Sequence, residues 1–265
     1  AILICLGQWL RVAVVRNPRP PEWQRNLATS LCTLFMLLLV LEGGFLFVRQ
    51  SHRFNGPLAS RAWFARHWHQ NSEGYRDHPI RNLPVKRKLI VLGDSFVAGH
   101  GVRDTSDRLD AVLAQRLGQD WQVYNLGWLG SDVHSANRRI REYPVVPDHL
   151  VYHYYINDIQ PDGTRAGFEA PVLKLKLYRD LWPPFRYLVR RSYLFNWVYW
   201  RLPHDQGDFD YTAYLDEAYQ HPKVWPRHAG ELDRLIHFAD SVDAGFSVVI
   251  WPLLENIDAS RAWTE

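Results

Sequence analysis

The feature that most constrains the fold is an alternation of short apolar runs with longer amphipathic segments from residue 87 onward. The apolar runs are too short for buried helices and are bounded by charges, glycines or prolines, which is typical of buried strands. The predicted strands are 89–93, 121–127, 149–156 and 246–252, and the predicted helices between them are 106–118, 131–143 and 231–245. Strands that alternate with helices form a mostly parallel sheet with helices on both faces. We therefore expect an α/β domain over 87–265.

Small and polar residues stand at the carboxyl ends of three of these strands. Residues 94–95 are Asp-Ser, residues 125–127 are Asn-Leu-Gly, and residues 157–158 are Asn-Asp. Ligands and catalytic groups of open parallel sheets gather at this edge. The sequence therefore predicts a site there, with the hydroxyl of Ser95 as a candidate nucleophile that needs a base to take its proton.

Residues 27–48 form an apolar run, LATSLCTLFMLLLVLEGGFLFV, in which Glu42 is the one charged residue. A helix needs about 20 such residues to cross a bilayer, and this run lacks the polar face of a core helix in a soluble protein. We predict a transmembrane helix over 27–48. A carboxylate in hydrocarbon is costly, so Glu42 should be protonated, close to an interface or against a partner helix.

The segment before this run, 1–26, joins an apolar stretch over 1–15 to a basic loop over 16–26. The apolar stretch fits either the end of an earlier span or an interfacial or solvated helix. Short basic loops stay in the cytoplasm, so the domain after the span is expected on the periplasmic or extracellular side. A polar, aromatic-rich connection over 49–86 leads into that domain.

Three blocks at the strand ends resemble those of the SGNH hydrolases, also called the GDSL esterase/lipase superfamily. The first is GDSFVAG (93–99), the second is the glycine of NLG (125–127), and the third is the ND pair (157–158). The segment NSEGYRD (71–77) is similar to one that often precedes the first block in membrane-anchored members. The resemblance covers residues 70–265 and implies a flavodoxin-like three-layer α/β/α sandwich.

The resemblance also implies a role for each matching residue. Ser95 would be the nucleophile, and its own N–H, the N–H of Gly127 and the side-chain amide of Asn157 would form an oxyanion hole. The supporting residues would be Gly93, Asp94 and Asp158. Each main residue also has a structural alternative: Ser95 as a helix cap, Gly127 as a turn glycine, and Asn157 as a loop residue bonded to backbone.

Two departures from the family pattern concern substrate choice and the base. Tyr155 stands where the family usually has a glycine, so a large ring is expected to reshape the site. The family's base lies in a late D-x-x-H block, and the 265 residues contain none. We expect that block beyond Glu265, with His100 and His134 as the alternative bases nearest to the site blocks in sequence.

An irregular insertion occupies about 160–227, and its centre over 174–202 interleaves basic and aromatic residues. Three interpretations remain open for this centre. It is a lid over an acyl or sugar pocket, a surface that rests on an anionic membrane, or a pair of helices that pack on the sheet. The composition favours the last for most of its residues.

Other chemistries find little support in the sequence. The net charge of +3 is small and dispersed, which argues against a nucleic-acid surface. His67 and His69 lack neighbours with metal-ligand spacing, and VAGHGV lacks the lysine of a phosphate-binding loop. No metal and no organic cofactor are predicted.

The predicted function is that of a membrane-anchored serine esterase that cleaves a carboxylic ester through a Ser95 acyl-enzyme. Its expected partners are the membrane and an ester-bearing small molecule or acylated carbohydrate, and no nucleic acid. One alternative is an O-acyltransferase that acts on a cell-surface polysaccharide. Another is a catalytically silent module that binds a glycan or a protein partner.

Overall fold

The computed structural model describes residues 21–51, 57–80, 87–168, 181–202 and 210–251, which fall into two compact units. Of the described residues, the first unit contains 21–50, 57–60 and 181–202, and the second contains 51, 61–80, 87–168 and 210–251. The prediction for the apolar stretch over 1–15 lies outside the described residues.

Strands β1 to β4 are Arg87–Gly93, Trp121–Gly127, His149–Tyr155 and Gly245–Trp251. The α-helices, α1 to α9, are Glu22–Phe45, Leu58–His67, Leu109–Leu117, Val133–Glu142, Gln160–Arg165, Pro183–Arg191, Tyr193–Arg201, Tyr211–Gln220 and Trp225–Ser241. The strands form one sheet in the order β2-β1-β3-β4, and every neighbouring pair is parallel. The predicted α/β fold is therefore confirmed, and this strand order is that of flavodoxin-like sheets.

Side chains of β1 alternate between two cores because successive residues of a strand point to opposite faces. Ile90 and Leu92 enter the larger core, which is closed by α4, α8 and α9. Leu89 and Val91 enter a smaller core on the other face, where α3 packs. The predicted helices 106–118, 131–143 and 231–245 correspond to α3, α4 and α9, and α9 begins earlier than predicted, at Trp225.

The longest helix of the first unit is α1, whose residues are mostly exposed, with Ala28 alone among them buried. Within the described residues, α1 is the one helix long and apolar enough to cross a membrane, judged by length and composition. Helices α6 and α7, from the centre of the insertion, belong to this unit. The composition favoured a pair of packed helices for that segment, and α6 and α7 do pack with each other, while α7 also packs with α1.

Candidate active site

The topology brings the three predicted blocks to one edge of the sheet. The chain runs outward from β1 to β2 and then crosses back to β3, so the strand order reverses between β1 and β3. Ser95 follows β1, and Asn157 follows β3, on the two sides of this reversal. Crevices at such a point are the ligand sites of open α/β sheets.

Ser95 lies in a series of turns over residues 94–101 that follow β1 directly. Asp94 holds the first turn, because its Oδ1 accepts the N–H of Phe96 at 2.8 Å. Burial raises the pKa of Asp94, and the N–H groups of the turn oppose that shift. The Ser95 hydroxyl is half-buried and has no hydrogen-bond partner among the described residues. No helix begins at Ser95, so the helix-cap alternative finds no support.

Asn125 fastens the end of β2 to the turn that carries Ser95. Its Nδ2 donates to the carbonyl of Val97 at 2.7 Å and to Oδ1 of Asp110 at 2.7 Å. Its Oδ1 accepts the N–H of Gly127 at 2.8 Å. The sequence analysis placed Asn125 at the end of a strand and predicted no role for its side chain.

Gly127 lies against the backbone of the same turn. A Cβ added there would stand 2.5 Å from the carbonyl carbon of Val97 and 2.8 Å from Cα of Ala98, and closest of all to the Ala98 nitrogen. Only glycine fits this approach. The structure differs from the sequence prediction for its N–H, which is donated to Asn125 rather than held free for an oxyanion.

Gly130 is the better candidate for the backbone donor that the prediction assigned to Gly127. It occupies the third position of a turn closed by the N–H of Ser131 and the carbonyl of Trp128 at 3.0 Å. Its φ of +70° suits glycine in a type II turn. Gly130 is exposed, and its N–H has no acceptor within the described part of the chain.

Asn157 and Asp158 lie in a short 3-10 helix, Ile156–Ile159, that begins where β3 ends. Asn157 is half-buried, and its carboxamide has no hydrogen-bond partner among the residues described. Asp158 is buried and accepts the hydroxyl of Tyr152 at 2.6 Å. Burial raises the pKa of Asp158 well above its usual value, and the charge of Asp94 adds to this rise.

Arg76 holds the Ser95 turn by hydrogen bonds to backbone carbonyls, a role that sequence reasoning missed. Its side chain is 1% exposed. The guanidinium donates to the carbonyls of Gly99 at 2.6 Å and Val102 at 2.8 Å, and to that of His67 at 2.9 Å. The signal available in the sequence was the arginine within NSEGYRD, and its carbonyl partners, close in space, could not be read from it.

Asp77 continues this support toward β2. Its Oδ2 accepts the backbone N–H of Asn125 at 2.8 Å, and its Oδ1 lies 3.4 Å from the guanidinium of Arg108. Arg108 also pairs with Asp110 at 2.8 Å, and these side chains are nearly all withdrawn from water. Burial raises the pKa of Asp77, against the N–H of Asn125, which lowers it. This buried cluster joins the segment around Asp77 to β2 through Asn125 and to α3 through Asp110.

Aromatic side chains border the site on the side of β3 and β4. The ring of Phe96 lies 5.3 Å from Tyr155 and 6.1 Å from Trp251, with which it is nearly parallel. Trp251 donates from Nε1 to Nδ1 of His153 at 2.8 Å. Phe96 is 48% exposed and Trp251 is 37% exposed, so both offer a face to a ligand. The ring of Tyr155 thus lies beside that of Phe96, the residue after the candidate nucleophile.

Histidines near the blocks have contacts away from the nucleophile. His100, near the end of the same series of turns, stacks its ring on that of Phe64 at 5.3 Å. His134 pairs with Glu231 of α9 at 3.3 Å. His228 is fully buried between the hydroxyl of Tyr154 and the carboxylate of Asp162. None of these contacts joins a histidine side chain to Ser95.

Comparison with known proteins gives structural neighbours, and neither a family model nor a curated protein matches this chain. One neighbour is AlinE4, an SGNH-hydrolase family esterase, at 18% identity over 62% of this chain and 77% of that chain, with a TM-score of 0.27. Another is a carbohydrate acetylesterase family member from Sinorhizobium meliloti, at 18% identity over 61% and 82%, with a TM-score of 0.26. At these values the assignment of function rests on the chain's own site.

Proposed function

We propose that this protein is a membrane-anchored serine hydrolase of the SGNH type, and that it cleaves a carboxylic ester through an acyl-enzyme on Ser95. The observation that carries the proposal is the placement of Ser95 and Asn157 on the two sides of the strand-order reversal. A half-buried hydroxyl and an amide donor with no other described partner then follow neighbouring parallel strands at the same edge of the sheet. The anchor is α1, with the hydrolase domain outside the cytoplasm.

Acyl transfer builds negative charge on the former carbonyl oxygen, and fixed donors that are aimed at it lower the barrier. The proposed donors are the N–H of Ser95, the amide of Asn157 and the N–H of Gly130. Loss of a single donor of this type costs about 10²–10³ in kcat. Asn157→Ala should therefore slow acylation by about that factor with little change in substrate binding.

The first experiment treats the full chain, in vesicles, with a fluorophosphonate probe, which reports an activated serine. The wild type should be labelled, and Ser95→Ala should not. Ser106→Ala is the matched control, because Ser106 is an exposed serine outside the site, and this variant should be labelled like the wild type. Absence of labelling in the wild type would favour the silent binding module over any hydrolase.

A second function, acyl transfer to a sugar hydroxyl, is favoured by the exposed rings of Phe96 and Trp251. The two rings stack with their planes 9° apart, and Phe96 directly follows the nucleophile in the chain. Exposed aromatic rings of this kind suit contact with a carbohydrate. Hydrolysis and transfer share the acyl-enzyme and differ only in the acceptor. Measuring acetyl-ester turnover with and without a polysaccharide acceptor separates them, since only a transferase leaves acylated polysaccharide.

A further inference from the structure

Glu42, the one charged residue in the apolar run of α1, has hydrogen-bond partners for both of its carboxylate oxygens. Its Oε2 accepts the hydroxyl of Ser192 at 2.6 Å and the N–H of Leu194 at 3.0 Å, and its Oε1 accepts the N–H of Tyr193 at 2.7 Å. These are the groups at the start of α7, where the N–H groups of a helix lack internal partners. The positive end of the helix dipole also favours a carboxylate there.

Further contacts join α6, α7 and α1 into one cluster. The ring of Phe45 lies 4.9 Å from that of Trp197. Asn196 accepts the N–H of Leu58 at 2.8 Å and donates to the carbonyl of Val189 at 3.0 Å. The two insertion helices are therefore held at a defined level along α1.

That level corresponds to one face of a bilayer. Glu42 lies 20 residues after Glu22, the first residue of α1. At about 1.5 Å per residue the separation is roughly 30 Å, which is about the thickness of the hydrocarbon core. With Glu22 and Arg25, the charged residues at the start of α1, at one interface, Glu42 and its partners lie close to the other.

Helix α6 separates apolar from basic side chains. At about 100° per residue, Phe185, Leu188 and Val189 fall within one arc of roughly 100°, and its arginines fall outside that arc. Val189 is buried, whereas Phe185 is 43% exposed and Leu188 is 37% exposed. Trp182, just before the helix, is 73% exposed.

The charged side chains of α6 and α7 are all positive. Residues 181–202 contain four arginines and no acidic residue, and the arginines are Arg186, Arg190, Arg191 and Arg201. Aromatic and basic side chains next to exposed apolar ones are typical of helices that lie in a membrane interface.

We propose that α6 and α7 form an interfacial anchor that lies on the anionic phospholipid surface at the end of the α1 span. The exposed apolar side chains of α6 enter the acyl-chain boundary, and the arginines contact lipid phosphates. Glu42 fixes the pair to the span. The inference rests on the membrane-spanning role proposed for α1 and is independent of the chemistry at Ser95.

The test uses the full chain with Cys5→Ser and Cys32→Ser, and one new cysteine carrying a spin label. The chain is reconstituted into phosphatidylcholine vesicles with and without phosphatidylglycerol. Collisions with oxygen, which concentrates in the bilayer, are compared with collisions with a water-soluble nickel chelate. Phe185→Cys is the probe, Leu37→Cys reports on the span, and Val112→Cys is the control. Val112 is 40% exposed, which matches Phe185, and lies on α3 in the second unit.

The expected result is faster relaxation by oxygen than by nickel at 185 and 37, and the reverse at 112. The preference for oxygen at 185 should weaken without phosphatidylglycerol. Oxygen preference at 37 together with nickel preference at 185 would overturn the interfacial anchor and leave the span intact. A label at 185 shielded from both reagents would point to a protein partner and also overturn it. Equal immersion in both vesicle types would refute the anionic surface.

Discussion

The close approach of Gly127 to the Ser95 turn gives a prediction whose size can be worked out. In Gly127→Ala the new methyl would lie 2.5 Å from one backbone carbon of Val97 and 2.8 Å from Cα of Ala98. Ordinary contacts are about 3.5–4.0 Å, so the turn must move by roughly 1 Å. Backbone cannot rotate away as a side chain can. Overpacking of this kind costs about 1–3 kcal/mol, and we expect the upper end, a fall in Tm of about 6–12 °C.

Gly230→Ala is the matched control for that variant. Gly230 lies in α9 with nothing within 4 Å of an added Cβ, so alanine should raise stability by about 0.5–1 kcal/mol through helix propensity. Thermal unfolding by near-UV circular dichroism measures both variants. A displacement of about 1 Å at the nucleophile can also cost about 100-fold in rate, so fluorophosphonate labelling of folded Gly127→Ala should slow by that order. A Tm for Gly127→Ala within a degree of the wild type would refute the reasoning.

Three further predictions concern buried polar groups. Burial raises the pKa of Asp158 in the folded protein above its value in the unfolded chain. The protonated Asp158 therefore stabilises the fold fully below about pH 4, and this stabilisation is lost as the pH rises toward the folded pKa. Asp158→Asn keeps an acceptor for Tyr152, so the free energy of unfolding in urea should fall less between acidic and neutral pH in this variant than in the wild type. The same dependence on pH in both proteins would contradict this. Burial lowers the pKa of His153 to about 4, so its stabilising contribution is present above about pH 6.5 and lost as the pH falls toward 4. Nitrogen NMR at pH 5.5 should find His153 neutral with its proton on Nε2, since Nδ1 accepts from Trp251, and a protonated ring would be inconsistent with this. Arg76→Lys cannot reach the separate carbonyls and should lose about 2–4 kcal/mol in thermal unfolding, whereas wild-type stability would show that these bonds contribute nothing.

Much of the fold could be predicted because it depends on local pattern. The apolar run 89–93 and the largely apolar run 121–127 both end in glycine, and β1 and β2 end at those same glycines. The rule that parallel strands place chemistry at their carboxyl ends then located Ser95 and Asn157 at one edge of the sheet. The spacing of the strands and the residues that follow them could be read without knowledge of distant contacts.

What could not be predicted depends on contacts between residues distant in the sequence. The N–H of Gly127 is taken by Asn125 only because Asn125 turns back toward Asp110 and Val97, and no spacing rule encodes that. The partner of Glu42 lies 150 residues away at Ser192. A charged residue in an apolar run suggests a partner, and the identity of that partner is given only by the folded structure.

The position of Arg76 has a consequence for where an autonomous folding unit begins. A truncated chain that started at β1 would keep every strand of the sheet and all the described residues from 87 onward. It would lack the guanidinium that holds the carbonyls of Gly99 and Val102, together with the carboxylate of Asp77 that holds β2. Such a fragment should retain its parallel sheet and yet present its serine on an unsupported segment. The smallest piece of this protein able to form the intact serine turn therefore begins upstream of the first strand, at or before Arg76.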